Sequence, residues 1–284
     1  MVSFFKKESN RDHLSFFLRW IVYLSAGLAG LATSFIVVYI LLKGLPYLNL
    51  DLFSWTYSST NVSMLPALLN TVLMAVLSLI IALPIGIGAS IYLTEYASAD
   101  NFLVTIVRLA TETLSGIPSI VYGLFGALFF VKFLHMGLSM TAGASTLSIM
   151  ILPLIMRTTE EALLSVEEGY REGSFALGAG KLRTIFQVVL PSALPGIFSG
   201  VVLALGRVIG ESAALIFTAG TVAEVATSLT NSGRTLAVHM YLISGEGIYI
   251  NQTYATAVIL LLLVIVMNLL SEWIALKLGR NKHE

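Results

Sequence analysis

The chain has 284 residues, of which 57% are hydrophobic and 11% are charged, and it contains no cysteine. Soluble domains are usually about 45–50% apolar and about 25% charged, so this composition indicates a protein that lies in a lipid bilayer. The lack of cysteine excludes disulfides, thiolate metal sites and cysteine nucleophiles, and a formal net charge of zero gives no indication of a nucleic-acid partner.

Long apolar stretches recur along the whole chain. A helix needs about 20 mainly apolar residues to cross roughly 30 Å of hydrocarbon, and lipid cannot satisfy the polar backbone of an irregular segment. We therefore predict an all-α membrane protein with six transmembrane helices. Their approximate limits are residues 20–42, 65–93, 113–131, 138–156, 195–219 and 254–276.

The lysines and arginines are distributed unevenly between the connections. If the N-terminus is cytoplasmic, twelve lie in inner segments and three in outer segments, and Arg207 remains inside a helix. Positive charge accumulates on the cytoplasmic side of membrane proteins, so we predict that both termini are cytoplasmic. The inner residues are Lys6, Lys7, Arg11, Arg19, Arg108, Arg157, Arg171, Lys181, Arg183, Lys277, Arg280 and Lys282, and the outer ones are Lys43, Lys132 and Arg234.

These features divide the chain into four parts. Residues 1–19 are predicted to form a cytoplasmic arm, and residues 20–64 the first transmembrane helix with an outer loop. The first apolar run is longer than the core of a cleavable secretion signal, so we expect it to be retained. Residues 65–277 are predicted to form the main transmembrane domain, with a long cytoplasmic loop at 157–194 and a second long outer loop at 220–253. Residues 278–284 are the cytoplasmic tail.

The long inner loop contains a spaced motif. Glu172-Gly173-Ser174 is followed by three residues, Gly178, nine residues and then Val188-Val189-Leu190-Pro191. This spacing resembles the motif of ATP-binding-cassette importer permeases, which reads Glu-Ala-Ala, three residues, Gly, nine residues, Ile-x-Leu-Pro. The departures are Gly173, Ser174 and Val188, which all remain small or apolar.

The resemblance implies that residues 168–180 form a coupling helix that seats in a cleft of a separate ATPase subunit. Glu172 and Gly178 would anchor this helix and its turn. The alternative is a solvated loop in which the glycine and the proline only interrupt local helical structure. The docking residues carried over are Glu172, Gly173, Ser174, Gly178, Leu190 and Pro191.

The chain itself lacks a phosphate-binding loop for ATP. That loop requires Gly, four residues, Gly-Lys and then Ser or Thr. The nearest match is Gly180-Lys181, where Phe175 and Leu182 occupy positions that the motif forbids. We therefore expect ATP and magnesium to be bound by another polypeptide, and this chain to hold no cofactor or metal.

Two ionisable residues interrupt the fifth apolar run. Arg207 falls at its midpoint, and Glu211 follows at i+4 on the same helical face. A charge at this depth should face the interior of the bundle or a wet cavity. One interpretation is a structural salt bridge between the two; the other is a transport site, because a planar guanidinium suits an oxyanion.

Glycines also recur at helical spacing in this run. Gly196 and Gly200, then Gly206 and Gly210, make two Gly-x-x-x-Gly steps. Such steps predict close approach of another helix or of a substrate.

Three sequences resemble the A-type permease subunit of phosphate importers: LGRVIGESAALIFTAG, GIPSIVYGLFG and MRTTEEALLSV. The resemblance implies the type I importer permease (MetI-like) fold and a role for Arg207, Glu211 and Arg157 in phosphate passage. It also implies a bacterial plasma membrane location and three partners: a second, similar permease, a homodimeric ATP-binding subunit and an extracytoplasmic phosphate-binding protein. The alternatives are a permease for another oxyanion, such as sulfate, molybdate or phosphonate, and an anion channel.

Two other sets of residues are interpreted as structural. Residues 102–112 are predicted to form a helix at the cytoplasmic interface, in which Arg108 and Glu112 make a solvated pair. His135 and His239 stand alone in outer segments, without neighbours at metal-ligand spacing.

Overall fold

The computed structural model of the chain describes residues 2–98 and 101–280. All regular structure in these residues is helical, which confirms the predicted all-α class. Met1, residues 99–100 and residues 281–284 lie outside the described residues, and so do Lys282 and the end of the predicted tail. The helices are α1 (Val2–Gly44), α2 (Leu65–Ile91), α3 (Phe102–Ser115), α4 (Ser119–Gly126), α5 (Met140–Leu164), α6 (Glu168–Ala176), α7 (Lys181–Thr184), α8 (Leu190–Ile209), α9 (Ala213–Thr218), α10 (Leu236–Glu246) and α11 (Ile250–Arg280).

The described residues contain five helical segments that are long and apolar enough to cross a membrane. A sixth span results when two helices that meet at an angle of 107° are counted as one. The five segments are Ser15–Tyr47, Leu65–Tyr96, Met140–Leu164, Lys181–Ile209 and Ile250–Trp273, and the bent pair is Phe102–Ser115 with Ser119–Phe133.

Helix α1 lies at the edge of the bundle. It begins at Val2, so the predicted arm 1–19 is helical wherever it is described. Nearly all its side chains from Ser15 to Phe35 are exposed, and it packs along α11. Gly44 permits this contact, because a Cβ there would collide with the carbonyl oxygen of Tyr254.

Helix α5 forms the centre of the bundle and packs against α2 and α8. The Ser139 hydroxyl accepts from the amide of Ala142 at 3.2 Å and so caps its start. The helix continues to Leu164, eight residues beyond the predicted end at residue 156. Hydropathy locates the edge of the lipid, whereas a helix rich in Glu, Arg, Leu and Ala continues into water. The predicted loop 157–194 is therefore mainly helical, and only residues 165–167 and 177–180 lack helical structure.

The third span begins later than predicted. Residues 113–115 belong to α3, and the transmembrane part starts at Ser119. Pro118 explains the break, because it has no backbone N–H and disfavours helical geometry at Ile117. Since α3 and α4 meet at 107°, α3 runs roughly across the bundle axis, as a separate interfacial helix should.

The fifth span differs most from its prediction as a single helix at residues 195–219. A continuous helical segment runs over Lys181–Ile209, stops at Gly210, and is followed by the short helix α9. A π-helical stretch at Ile185–Val189 comes directly before Pro191. Its wider turn accommodates the missing N–H and the ring of the proline.

The outer loops pack on the start of α2. Leu52, Met64 and Leu236 are buried in one cluster with residues of α2 and α11. The predicted outer loop 220–253 includes the eleven-residue helix α10. These contacts bring the two long outer connections together at the end of the molecule opposite α6.

Candidate functional site

A cavity of about 360 Å³ lies where α8 ends, between side chains of α3 and α5. Its lining brings together two of the predicted pathway residues, Arg157 and Arg207. Helix α3 adds an arginine that the sequence analysis did not assign to a site. The charged residues that line the cavity are Arg108, Glu112, Arg157, Glu160 and Arg207.

Arg207 lies in the last turn of α8 and not at the midpoint of a helix, so that part of the prediction is wrong. Hydropathy alone does not reveal this end, because apolar residues continue on both sides of Gly210, Glu211 and Ser212. The position is nevertheless favourable for a cation, since the C-terminal end of a helix carries a partial negative charge.

The packing of α8 on α5 gives the depth of Arg207. Gly196 lies against Ala162 and Gly200 lies against Thr158, so α8 and α5 run in opposite directions. Two turns beyond Gly200, Arg207 reaches the cavity wall that contains Pro153, which is close to the middle of α5. Arg207 therefore lies inside the bundle, level with the last turn of the predicted span 138–156 and on the side of the bundle that carries α6.

The expected pairing of Arg207 with Glu211 is not formed. The Glu211 carboxylate instead accepts from the amide of Ala214 at 3.0 Å, and so caps the start of α9. Glu211 is only 9% exposed. No described residue makes an ion pair or hydrogen bond with the half-buried Arg207 guanidinium, which leaves its donors free toward the cavity.

Arg108 pairs across helices and not with Glu112, so the predicted solvated pair is wrong. Its Nη2 lies 2.6 Å from Oε1 of Glu160 on α5. No local pattern indicates this partner, because the two residues are 52 positions apart. Only the bend before α4 brings α3 against α5.

Arg157 also faces the cavity, but it is tied more loosely. Its Nε lies 3.0 Å from Oε1 of Glu161, one turn further along α5, and 73% of its side chain is exposed. A pair this exposed contributes little to stability and exchanges partners easily.

Close helix packing is confirmed for the first Gly-x-x-x-Gly step, Gly196 and Gly200, but not for the second. A Cβ at Gly196 would lie 2.7 Å from the Cβ of Ala162, and one at Gly200 would collide with the Thr158 hydroxyl. Gly206 has no neighbour within 4 Å, and Gly210 meets only its own helix. The second step therefore serves no close helix contact among the described residues.

Helix α6 occupies the position predicted for the coupling helix at residues 168–180, although it ends at Ala176. Gly178 follows with φ of 84°, a left-handed conformation that favours glycine and stops the helix. Glu172, Gly173 and Gly178 are exposed. Apolar side chains here are exposed as well, with Leu177 at 90% and Tyr170 at 56%.

The other motif residues lie around this helix. The Ser174 hydroxyl is 2.8 Å from that of Thr184, so the serine joins α6 to α7. Leu190 and Pro191 form the first turn of α8 and belong to a helix, not to a loop. The motif thus runs from α6, through the connection at residues 177–180, into the continuous helical segment Lys181–Ile209, which contains α7 and α8.

The sequence of this region matches a known family. A family model described as "Binding-protein-dependent transport system inner membrane component" matches residues 82–280. The chain belongs to this family. The matched range contains the cavity, α6 and the whole motif, whereas α1 lies outside it.

Two relatives and one solved structure define the likeness further. The chain is 34% identical over 282 residues to the "Probable ABC transporter permease protein YqgI" of Bacillus subtilis, covering 88% of this chain and 94% of the relative. It is 40% identical over 154 residues to the "Phosphate transport system permease protein PstA 2" of Mycobacterium bovis, covering 54% of this chain and 50% of the relative.

The inward-facing MetNI methionine ABC transporter shares the fold, with a TM-score of 0.57 and 22% identity over 75% of this chain and 93% of that chain. The predicted MetI-like fold of ABC importer permeases is thereby confirmed. The protein is a multi-pass membrane permease.

Arg171 has a structural role that the sequence does not predict, since the charge distribution indicates only that it lies in an inner segment. Its guanidinium is buried and binds four partners. Nη2 lies 2.8 Å from Glu95 and also donates to the carbonyl of Leu163, while Nη1 donates to the carbonyl of Val166 and to Glu168. No local pattern could reveal this, because Glu95 is 76 positions away.

Proposed function

We propose that this chain is one of two permease subunits of an ATP-driven importer that moves inorganic phosphate into the cytoplasm. The observation that carries the proposal is the Arg207 guanidinium, which borders a cavity on the α6 side of the bundle without an ion-pair partner among the described residues. A guanidinium whose donors are free can bind an oxyanion through charge-assisted, bidentate hydrogen bonds. The phosphate-transport name of the relative from Mycobacterium bovis supports phosphate as that anion.

The broken fifth span supports a transport site at this depth. Transporters place their sites where helices are discontinuous, because the freed helix ends carry charge and unpaired backbone groups. Here α8 ends at Ile209 and α9 starts at Ala213, with Glu211 between them. Glu211 would act by holding the start of α9, and so the shape of the break, without binding the anion itself.

The other two arginines would act as exchangeable partners. Arg108 and Arg157 are held by Glu160 and Glu161 in the described state. An entering phosphate would compete for these guanidinium groups and release the carboxylates. The freed carboxylates would then repel the anion and favour its departure toward the inner side.

ATP is needed because phosphate is an anion and the cell interior is negative. A potential of 100 mV opposes entry by roughly 2.3 kcal/mol per charge, and about twice that for a doubly charged phosphate. A passive pore would let phosphate leak outward. Alternating access, with Arg207 open to one side at a time, avoids that leak.

The proposed importer contains three kinds of partner for this chain. A homodimeric ATP-binding subunit, which carries ATP and magnesium, would seat α6 through Glu172, Gly173, Ser174 and Gly178, with Leu190 and Pro191 positioning the helix behind them. The exposed Leu177 and Tyr170 support a cleft as its environment. A second, similar permease completes the pathway, and an extracytoplasmic phosphate-binding protein docks on the outer loops. The assembly lies in the bacterial plasma membrane, with both termini of this chain in the cytoplasm.

The test is ATP-driven uptake of labelled phosphate by the complete complex in lipid vesicles. We expect Arg207→Ala to lower uptake by about tenfold or more, because it removes a charge-assisted contact to the anion. Arg19→Ala, at an exposed arginine of α1, is the matched control and should transport like the wild type. Full ATP-dependent uptake by Arg207→Ala would refute the site.

The same vesicles separate the alternatives. Competition by sulfate or molybdate as strong as that by unlabelled phosphate would indicate another oxyanion as substrate. Uptake that needs no ATP would indicate a channel.

The docking role is tested by purification of the complex. Glu172→Lys should lower the amount of ATPase that co-purifies, and Lys132→Glu, a charge reversal in an exposed residue at the other end, should not. Equal recovery with both variants would argue against docking through α6.

A further inference from the structure

One carboxylate on the wall of the arginine-lined cavity has no partner. Glu112 lies on α3 and lines the same cavity as Arg207. Its carboxylate makes no ion pair or hydrogen bond with any residue that the structure describes, although Arg108 stands one turn earlier on the same helix. Arg108 pairs instead with Glu160 on α5, at 2.6 Å. The cavity therefore contains a free acceptor at Glu112 in addition to the free donors of Arg207.

The hydroxyl groups next to Glu112 are engaged elsewhere. Thr111 and Ser115 also line the cavity. The Thr111 hydroxyl donates to the carbonyl of Val107 at 2.8 Å, and the Ser115 hydroxyl donates to the backbone carbonyl of Glu112 at 2.7 Å. Each of these hydrogens is thus bonded to the backbone of α3. The complement of the Glu112 carboxylate must therefore come from solvent or from a ligand in the cavity.

Two charges of opposite sign remain unpaired on the cavity wall. Apart from the ion pairs of Arg108 and Arg157, the charged groups of the lining are the Arg207 guanidinium and the Glu112 carboxylate. These two groups do not pair with each other, although both border the same space of about 360 Å³. A ligand that contacts both must accept hydrogen bonds from the guanidinium and donate one to the carboxylate.

A carboxylate distinguishes protonated from unprotonated oxyanions. It accepts hydrogen bonds and has no hydrogen to donate. Hydrogenphosphate carries a proton at neutral pH, so its hydroxyl can donate to the carboxylate while its other oxygens accept from a guanidinium. Sulfate carries no proton at neutral pH. It would leave the carboxylate without a donor and would be repelled by the like charge.

We propose that Glu112 is a specificity-determining residue of this cavity, which selects protonated oxyanions over fully ionised ones. The choice of phosphate as the physiological anion, and of Arg207 as its cationic partner, rests on the proposed function. In the occupied cavity, Arg207 donates to the charged oxygens, and Glu112 accepts the hydrogen of the P–OH group. The proton stays on the anion throughout, so the step is recognition without proton transfer.

The test is competition against labelled phosphate bound to the purified complex in phosphatidylcholine nanodiscs, without ATP and without the binding protein. The competitors are arsenate, which is protonated as phosphate is, and sulfate, which is not. For the wild type, we expect arsenate to compete about as well as phosphate, and sulfate at least about tenfold less well. Glu112→Gln should shrink the preference for phosphate over sulfate by about tenfold, because the amide is uncharged and can donate to a sulfate oxygen.

Two controls separate selectivity from folding and from the total charge of the chain. Glu246→Gln, at an exposed residue of α10, removes the same charge away from the cavity and should keep the wild-type preference. Glu112→Gln removes no side-chain contact that the structure describes, so its thermal unfolding should match that of the wild type. Arsenate should compete equally well in the wild type and in both variants.

Three results would overturn the proposal. They are an unchanged preference for phosphate over sulfate in Glu112→Gln, an equal change of preference in Glu246→Gln, and a wild type that binds no phosphate in the nanodiscs or binds sulfate as well as phosphate. Failure of the proposed function is a different result, since it would appear as absence of ATP-driven phosphate uptake by the wild-type complex supplied with its binding protein.

Discussion

Arg171 and Glu95 form an ion pair of 2.8 Å in which both side chains are only 10% exposed. Glu95 lies in the π-helical turn that ends the second span, and Arg171 lies on α6. Because Arg171 also donates to the carbonyls of Leu163 and Val166 at the end of α5, one guanidinium joins three segments. Any displacement of α6 is therefore transmitted directly to α2 and α5, which form the centre of the bundle.

Arg171→Ala should destabilise the protein by about 3–5 kcal/mol, because it leaves Glu95 buried and unpaired. The charge swap Arg171→Glu with Glu95→Arg should not restore stability, since a glutamate at position 171 would face two backbone carbonyls. Arg183→Ala, in an exposed residue, should change stability by less than about 0.5 kcal/mol. Unfolding in denaturant checks all three, and a stable swapped variant would show that the backbone contacts are unimportant.

Arg108→Ala should lower phosphate uptake more than the double substitution Arg108→Ala with Glu160→Ala. The single change leaves the Glu160 carboxylate unpaired on the cavity wall, where it repels an anion. The double substitution removes one positive and one negative charge, so the net charge of the cavity lining is unchanged. The measurement is the rate of phosphate uptake in vesicles. An uptake rate of the double variant no higher than that of the single variant would contradict the prediction.

Gly178→Ala and Gly173→Ala should shift stability in opposite directions. Gly178 has φ of 84°, so a Cβ there costs about 1–2 kcal/mol. Gly173 lies inside α6 with no neighbour within 4 Å, so alanine should stabilise this helix by about 1 kcal/mol. The measurement is the unfolding free energy of each variant, and equal effects would mean that α6 does not end as described.

Gly200→Ala should destabilise the bundle by about 1–3 kcal/mol, because the added methyl collides with Thr158 on α5. Gly206→Ala is the matched control on the same helix, since no atom lies within 4 Å of its Cβ position. It should be neutral or stabilising by up to about 1 kcal/mol. Thermal unfolding of both variants in the same detergent tests the pair, and similar losses would disprove the close contact.

His239 should make stability fall with acidification. The pKa of His239 is lowered to about 3 in the folded protein, against the usual 6.5. Its contribution is complete above about pH 6.5 and decreases as the pH falls toward 3, because only the unfolded chain takes up the proton there. His239→Gln should flatten this part of the pH profile of unfolding, and an unchanged slope in this variant would contradict the prediction.

Hydropathy and charge predicted the helical class, the number of spans and the separate helix before Pro118, because each depends on local composition. They failed where an apolar run hides a break. Residues 210–212 separate α8 from α9, but the apolar residues on both sides of them make residues 195–219 resemble one continuous span with Arg207 at its midpoint. The end of α5 was misplaced for the opposite reason, since polar residues after Met156 continue the helix.

Contacts between residues that are far apart in the chain could not be predicted from the sequence. Arg108 with Glu160 and Arg171 with Glu95 depend on how α3 and α6 fold back against the bundle. Spacing along one chain holds no information on such pairs. The motif around Gly178 is visible because its residues are neighbours in sequence, whereas the contact of Arg234 with the Tyr57 ring joins two separate outer loops.

The right-angled turn before Pro118 places α3 along the bilayer surface, with Phe102, Leu103 and Leu109 exposed. Side chains of this kind sink among acyl chains, which brings Arg108 to the level of the headgroups. Lipid phosphodiesters at that level compete with a free anion for the same guanidinium. The proportion of acidic phospholipid in the surrounding leaflet should therefore tune how readily the cavity fills.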